Sequence, residues 1–279
     1  MRIGVVGAGT MGSGIAQTFA MAGHDVTMVD VGVSQLERGM KTIRASLAKL
    51  EGKKALSAPA DDIAGRVAAT TDLAALRDAE FVVEAAFEDP KVKQDVFAKL
   101  DGITREDVVL ASNTSSISID GLASRTKRAD RVAGMHFMNP VPIMPLVEVV
   151  RGPRTSDETL HVVVDLAKAL GKTPVVSADR PGFIANRVLM PMINEAFRAL
   201  GEGVGTAEDI DRVMTLGMSH PLGPLRLADL IGLDVCVAVM DVLARDLKGE
   251  HYAPAKALGD LVKAGRLGRK SGQGVYSYP

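Results

Sequence analysis

Cysteine, long hydrophobic runs and an excess of either charge are scarce or absent in this sequence of 279 residues. Its single cysteine, Cys236, cannot form a disulfide within the chain, so a reducing compartment, the cytoplasm, is expected. No run of roughly 18 apolar residues is present, which argues against a membrane-spanning helix. The N-terminal segment is broken by glycines and lacks the pattern of a secretory signal. A net charge of -1 favours neither nucleic acid nor an anionic membrane as a partner.

The composition is that of a globular protein with a sizeable core, because 47% of the residues are hydrophobic and 24% are charged. Seven short apolar segments have the pattern of buried strands, and helical periodicity separates several of them. The predicted strands are residues 2–6, 25–30, 81–86, 108–113, 131–137, 145–150 and 173–178. This alternation predicts an α/β fold with a Rossmann-type, doubly wound parallel sheet.

Two regions depart from the simple alternation. Residues 34–64 form a long, mostly helical arm, far longer than a minimal crossover, and lysines crowd one section of it. The arm is either a solvated helical face or a surface that contacts an anionic substrate. Beyond about residue 181 the apolar residues have helical spacing almost to the end of the chain. We therefore expect a Rossmann-type domain over residues 1–182, whose ligand is indicated by the glycine loop described next, and an all-helical domain over residues 183–279.

The glycine loop follows the first predicted strand and opens the first predicted helix. Gly7, Gly9 and Gly12 form the pattern G-x-G-x-x-G. In this setting the first glycine permits a tight turn, the second lets a pyrophosphate approach the backbone, and the third allows close packing of helix on strand. The N-terminus of the helix offers N–H groups and a positive dipole to the phosphates. We expect the pyrophosphate on Gly9 to Gly12, a stretch that includes Thr10 and Met11.

A carboxylate ends the second predicted strand. Asp30 stands about 20 positions after the glycine loop, the usual distance for a side chain that hydrogen-bonds a ribose diol. A carboxylate there repels a 2′-phosphate, and no arginine follows it directly. The pattern thus predicts NAD rather than NADP; the alternative is an aspartate in an ordinary strand-ending turn.

A histidine and a glutamate stand in the apolar stretch AGMHFMNPVPIMPLVEVV, residues 133–150. His136 is the one histidine that ends a predicted sheet strand, where ligands of open α/β sheets bind. Glu148, flanked by valines, is costly to bury alone but is satisfied beside an imidazolium. Such a pair would fix the tautomer of the ring and favour its charged form, as a general acid–base requires. The alternative is a core histidine and a strand-edge charge without a role in catalysis.

Six segments resemble the 3-hydroxyacyl-CoA dehydrogenase family, and most closely its bacterial members that act on 3-hydroxybutyryl-CoA. They are GAGTMGSGIAQ, FVVEAAFEDPKVKQDVF, ASNTSSISI, GMHFMNPVPIMPLVEVV, DRPGFIANR and GRKSGQGVYSY. They follow in order over nearly the whole chain. The histidine segment is highly specific, whereas the glycine loop is not. The resemblance implies NAD-dependent oxidation of a (3S)-3-hydroxyacyl-CoA to the 3-oxoacyl-CoA, and the reverse.

The resemblance also implies individual roles. The catalytic histidine falls on His136 and its partner on Glu148, and Ser115 and Asn186 fall on residues that hold the substrate oxygen. The residues implied along the cofactor are Glu88, Lys93 and Asn113, and those implied to contact CoA are Ser46 and Lys53. The serines of NTSS could equally cap the helix that starts near Ser118.

The resemblance further implies a homodimer formed through the helical domain and a role in fatty acid metabolism; no metal site is predicted. Two alternatives remain open. Dehydrogenases that act on free β-hydroxyacids share a similar glycine loop and a helical second domain, but they use a catalytic lysine that GEGVGTAEDIDRVM lacks. A relative that binds NAD without activity is the other.

Overall fold

The computed structural model describes residues 1–279. The chain forms two compact units, Met1–Arg180 and Pro181–Pro279. The first is an α/β unit and the second is helical. No helix of either unit is long and apolar enough to cross a membrane.

The first unit is built on one sheet of eight strands. They are β1 (Arg2–Val6), β2 (Asp25–Val29), β3 (Val67–Thr70), β4 (Phe81–Glu84), β5 (Val109–Ser112), β6 (Val132–Phe137), β7 (Leu146–Arg151) and β8 (Thr173–Ala178). Their order is β3-β2-β1-β4-β5-β6-β7-β8, and all neighbours are parallel except β6 and β7. The predicted Rossmann-type α/β fold is confirmed.

Helices cover both faces of this sheet, so every residue of β4, β5 and β6 is buried. The helices are α1 (Thr10–Met21), α2 (Val33–Gly52), α3 (Ala60–Gly65), α4 (Pro90–Ile103), α5 (Ile119–Ala123) and α6 (Asp157–Ala169). The predicted arm consists of α2 and α3. Leu36, Ile43 and Leu47 of α2 are buried in the core of the unit, whereas the lysines of that helix point to solvent.

Two features of the sheet differ from the predicted one. The edge strand β3 is absent from the prediction because its sequence, VAAT, holds two small alanines and only one buried residue, so it carries little apolar signal. The pair β6–β7 is antiparallel because residues 138–145, which join the two strands, are too few for a parallel crossover. The antiparallel turn brings the start of β7 back to the edge where β6 ends.

The second unit contains five helices and one π-helical turn, which confirms the predicted all-helical domain. They are α7 (Ala185–Gly201), α8 (Ala207–Arg212), the π-helical turn Val213–Gly217, α9 (Pro224–Ile231), α10 (Leu233–Leu247) and α11 (Lys256–Lys263). Cys236 lies in the core of this unit, and burial raises the pKa of its thiol to about 12, with Asp234 adding to the effect. Its environment is that of a packing residue.

Two buried carboxylates fasten the last residues of the chain to the helical unit. Asp229 accepts hydrogen bonds from the backbone N–H groups of Val275 and Tyr276 and from the Tyr278 hydroxyl. Asp211 accepts from the Tyr276 hydroxyl at 2.8 Å. The segment GQGVYSY is therefore part of the fold of this unit.

Candidate active site

The glycine loop joins β1 to α1 at the carboxyl edge of the sheet. Gly7 has φ +107°, and a Cβ there would overlap the carbonyl oxygen of Ala85; a Cβ at Gly12 would overlap the carbonyl oxygen of Gly7. A Cβ at Gly9, by contrast, would meet nothing within 4 Å. Two glycines are thus required for packing, and the third leaves open space at the start of α1.

The start of α1 is suited to an anion. The helix begins at Thr10, and no side chain caps the N–H groups that follow Gly9. Thr10 is exposed and Met11 is half-buried against the core. Open space beside uncapped N–H groups fits a pyrophosphate.

Asp30 connects the glycine loop to the end of β2. Its Oδ2 accepts the backbone N–H of Ala8 at 2.8 Å, and its Oδ1 accepts the N–H of Gly32 at 3.2 Å. The sequence predicts a ribose contact for this carboxylate, and the structure adds a role in holding the loop. Each carboxylate oxygen has room for a second hydrogen bond, so the two roles are compatible.

His136 and Glu148 form a buried pair at the same edge. They lie directly opposite each other in the antiparallel pair β6–β7, and 3.0 Å separates His136 Nδ1 from Glu148 Oε2. His136 is 8% exposed and Glu148 is 1% exposed. The cross-strand register explains the spacing of twelve residues between them. The sequence-predicted pair is therefore present, with the carboxylate fixing the ring through Nδ1.

Asn113 follows β5 and connects it to the end of β6. Its Oδ1 accepts the backbone N–H of Phe137, the residue after His136, at 2.8 Å. Its own N–H donates to the carbonyl oxygen of Glu84 at 2.8 Å. Asn113 thus holds the ends of three neighbouring strands in place, next to the histidine.

Glu88 lies against the loop that follows Asn113. Its Oε1 accepts hydrogen bonds from the Thr114 hydroxyl at 2.5 Å and from the Ser115 N–H at 2.9 Å. The Lys93 ammonium is 3.2 Å from Oε2 of the same carboxylate. The structure therefore brings Glu88, Lys93 and Ser115 together.

The cap of helix α5 is Ser118 and not one of the NTSS serines, because the Ser118 hydroxyl accepts the N–H of Gly121.

Ser46 and Lys53 lie on the arm. Ser46 is half-buried in α2, and Lys53 is the exposed residue at the C-terminal end of that helix. They are seven positions apart, about two helical turns, so they share one face of α2.

Asn186 belongs to the second unit, where it is the second residue of α7. A tight turn precedes it, in which Gly182 has φ +77° and Phe183 has φ +50°. A Cβ at Gly182 would lie 2.7 Å from the Leu243 side chain and 3.0 Å from the Arg187 nitrogen. The turn therefore requires the glycine, and it fixes Asn186 in the first turn of α7.

Sequence reasoning missed two buried charged residues near this edge. The first, Glu84, ends β4 and pairs with Lys93. Its segment FVVEAA shows a carboxylate in an apolar run, the same signal that identified Glu148.

The second, Lys172, donates to the carbonyl oxygens of Val141 (2.7 Å) and Met144 (2.9 Å) and so holds the turn between β6 and β7. Burial lowers the pKa of Lys172. Nothing in GKTPVV distinguishes it from a surface lysine.

The chemistry available at this edge is proton transfer beside a dinucleotide cradle. No group of three or more His, Cys, Asp or Glu side chains is arranged to hold a metal ion. A titratable ring that is fixed by a buried carboxylate is suited to general acid–base catalysis.

Comparison with known proteins agrees over the whole chain. Residues 2–180 match the 3-hydroxyacyl-CoA dehydrogenase NAD-binding domain, and residues 182–278 match the C-terminal domain of that family. The chain is 46% identical to a 3-hydroxybutyryl-CoA dehydrogenase of Clostridioides difficile, over 100% of this chain and 99% of that protein. It is 42% identical to the human mitochondrial hydroxyacyl-coenzyme A dehydrogenase, over 99% of this chain and 91% of that protein.

A solved structure of a related enzyme also matches this chain over its whole length. The crystal structure of the (S)-3-hydroxybutyryl-CoA dehydrogenase PaaH1 from Ralstonia eutropha superimposes with a TM-score of 0.95 and 49% identity, covering 100% of this chain and 99% of the other. With both family domains matched end to end, the chain belongs to the 3-hydroxyacyl-CoA dehydrogenase family, whose first domain binds NAD.

Proposed function

We propose that this protein oxidises (3S)-3-hydroxyacyl-CoA, 3-hydroxybutyryl-CoA in particular, to the 3-oxoacyl-CoA with NAD, and catalyses the reverse. The observation that carries the proposal is the buried pair of His136 and Glu148, 3.0 Å apart at the edge that also bears the glycine loop. The names of the C. difficile and R. eutropha relatives supply the substrate.

His136 moves the proton in this reaction. NAD, held by the glycine loop and Asp30, would supply the hydride acceptor for C3 of the alcohol and, in its reduced form, the hydride donor for the ketone. In oxidation the neutral ring of His136 accepts the 3-hydroxyl proton, and in reduction the imidazolium donates it. Because Glu148 engages Nδ1, the transferred proton passes through Nε2. The buried carboxylate stabilises the positive charge that develops on the ring.

We assign two further polar residues to the substrate oxygen, Ser115 after β5 and Asn186 in α7. A hydroxyl and an amide can each donate a hydrogen bond to the alkoxide that develops at C3. The resemblance to the family supports both roles, and the position of Ser115 at the carboxyl edge of the sheet supports its own.

The residues that we assign to NAD are those of the glycine loop and the strand ends beside it. They are Gly7, Gly9, Thr10, Met11, Gly12, Asp30, Glu88 and Asn113. Lys93, which the resemblance places along the cofactor, is only 1% exposed, so we assign it to this group only through its contact with Glu88. Open space at Gly9 and the uncapped start of α1 fit the pyrophosphate, and the Asp30 carboxylate fits a ribose diol while repelling a 2′-phosphate.

We assign the CoA moiety to the arm through Ser46 and Lys53. Their shared face on α2 presents a hydroxyl and a positive charge. A lysine near the end of a helix is a suitable partner for a phosphate group.

The helical unit, residues 183–279 in this proposal, closes over the substrate and pairs two subunits. Its surface has an apolar groove of about 560 Å³, lined among others by Met192, Val204, Ile210 and Val213. Val204 is 74% exposed and Val213 is 59% exposed, which is unfavourable in water and favours a covered interface. Light scattering is expected to give twice the chain mass; a mass near 29.4 kDa would contradict the dimer.

The cellular setting that we propose is fatty acid metabolism in the cytoplasm. A 3-hydroxyacyl thioester is an intermediate in the shortening and lengthening of acyl chains. The single buried cysteine is compatible with a reducing compartment.

A spectrophotometric assay tests the function. The oxidation of NADH is followed with acetoacetyl-CoA, with free acetoacetate, and with NADPH in place of NADH. We expect fast turnover with the thioester and NADH alone. Turnover with free acetoacetate would favour a free-acid dehydrogenase, and binding of NADH without turnover would favour a relative without activity.

A further inference from the structure

A buried ion pair lies beneath the proposed site, at the ends of β4 and β5. The Lys93 ammonium donates to Glu84 Oε1 at 2.7 Å, and the lysine and glutamate side chains are 1% and 0% exposed. Glu84 Oε1 also accepts the N–H of Ala86 at 2.7 Å, and its Oε2 accepts the Ser112 hydroxyl at 2.6 Å. Both oxygens of the carboxylate are therefore used inside the protein.

Burying such a pair is not required for stability. Removing two charges from water costs several kcal/mol per ion, and well-packed apolar residues are often as stable. The position of the pair points to another use, because the ammonium reaches beyond Glu84. It donates to the carbonyl oxygen of Ala86 at 3.2 Å and lies 3.2 Å from Oε2 of Glu88, which is 38% exposed.

Glu88 transmits this contact to the loop that carries Ser115. Its second oxygen, Oε1, accepts from the Thr114 hydroxyl and from the Ser115 N–H, and the hydroxyls of Ser115 and Ser116 lie 3.3 and 3.4 Å away. Thr114 Oγ1 in turn accepts the N–H of Ile117 at 2.9 Å. One continuous set of hydrogen bonds thus leads from the buried pair to the loop of residues 114–117.

The charge of Lys93 also favours the ionised form of Glu88. Burial alone would raise the pKa of Glu88, but the Lys93 charge and the hydrogen bonds from Thr114 and Ser115 outweigh it and hold that pKa below its ordinary value. The charged groups that face Glu88 are Lys93 on α4 and, behind it, Glu84 on β4; the loop contributes neutral hydroxyl and N–H groups.

We propose that Lys93, with Glu84 as its buried counter-ion, is a positioning residue that acts through Glu88 to hold Ser115 in place for the reaction. This inference rests on the proposed function for the role of Ser115. It adds Glu84 to the residues on which turnover depends, and it gives Lys93 a role beneath the cleft, since its ammonium is enclosed by Glu84, Ala86 and Glu88.

The test compares Lys93→Met with the double variant Glu84→Gln/Lys93→Met. The single variant leaves Glu84 charged and unpaired in the interior, so we expect its Tm to fall by about 10 °C. The double variant removes both charges and keeps the side-chain volumes, so its Tm is expected to lie near that of the parent protein. The double variant therefore reports on positioning without a loss of folding.

The expected result for the double variant is a change in pH dependence. Without Lys93 the pKa of Glu88 rises, because burial still disfavours the carboxylate. Its contribution is present above that pKa and is lost as the pH falls through it, so the loss now begins at a higher pH. We expect kcat with acetoacetyl-CoA to be lower by about tenfold to 10²-fold at acidic pH, as for a group displaced by about 1 Å, with the acidic limb of the profile moved upward.

A second measurement does not depend on turnover. Ser115 and Ile117 donate their backbone N–H groups within this network, so hydrogen exchange of residues 113–117 reports on it directly. In the double variant we expect protection of these amides to be lost as the pH falls, while the parent protein keeps it. Lys168→Met/Asp165→Asn, which neutralises an exposed pair on α6, is the control.

The outcomes separate the two proposals. A double variant with the parent's pH profile and amide protection would overturn the inference, and so would an equal loss of turnover at every pH. If the parent protein itself does not turn over acetoacetyl-CoA, the proposed function fails, and hydrogen exchange still decides whether Lys93 holds the loop.

Discussion

Replacing Glu148 with glutamine is the most direct test of the proposed proton transfer. Glutamine has nearly the same shape and can still accept a hydrogen bond from Nδ1 of His136, so the ring keeps its tautomer. What is lost is the negative charge. With 3.0 Å between Nδ1 and Oε2 and an effective dielectric constant of about 20, that charge stabilises a full positive charge on the ring by about 5 kcal/mol.

The loss in kcat depends on how much positive charge the His136 ring carries in the transition state. If the ring carries about half a charge in the transition state of the oxidation, the loss is about 2–3 kcal/mol, or about 30- to 150-fold in kcat. Because the amide oxygen of glutamine keeps part of the attraction, the lower end of this range, about 30-fold, is expected.

The assay is the formation of NADH from (3S)-3-hydroxybutyryl-CoA at a mildly alkaline pH. Glu80→Gln is the matched control, because Glu80 is an exposed glutamate that pairs with Arg2 before β4 begins. An oxidative kcat for Glu148→Gln within about twofold of the control would refute the role of Glu148, since a difference so small corresponds to less than about 0.5 kcal/mol.

Three further outcomes are expected. His136→Ala should lower kcat by about 10²–10⁴-fold while NADH binding, followed by fluorescence, is kept; turnover close to the parent's would show that another group moves the proton. Asp30→Ala should weaken NADH binding by about tenfold to 10²-fold, because a charge-assisted hydrogen bond is lost. It should also reduce the ratio by which the protein binds NADH more tightly than NADPH. An unchanged ratio would show that Asp30 does not contact the ribose. Burial raises the pKa of the Cys236 thiol to about 12, so a thiol reagent should label it only after unfolding, and stoichiometric labelling of the native protein at mildly alkaline pH would show that α10 opens.

Much of the fold was predictable from the sequence because its strands are short apolar runs separated by helical periodicity. All seven predicted strands are present, and their bounds differ from the structure by at most two residues at either end. The strand that was missed, β3, has two exposed alanines and lies at the edge of the sheet, so burial leaves little trace in its sequence. The antiparallel direction of β7 depended on the length of the connection before it, which apolar patterning does not encode.

The site was predictable where a residue stood out against its neighbours. A carboxylate among valines revealed Glu148, and the register of β6 and β7 places it opposite His136. Glu84 carries the same signal, but its partner, Lys93, lies on a helix nine residues further on, and the pattern PKVKQ does not distinguish that lysine from a solvated one. Lys172 carried no signal, because its two acceptors are backbone carbonyls 28 and 31 residues away.

Several polar side chains at the carboxyl edge share one structural role: each accepts the N–H group of a loop. Asp30 accepts from Ala8 and Gly32, Glu84 from Ala86, Glu88 from Ser115, and Asn113 from Phe137. Loops that leave parallel strands have backbone N–H groups with no partner in the sheet. The oxygen of a nearby carboxylate or side-chain amide accepts these N–H groups and so holds the loop in place. The loops at this edge are therefore held by the protein's own hydrogen bonds, and groups fixed in this way are the ones whose dipoles and charges stabilise a transition state most effectively.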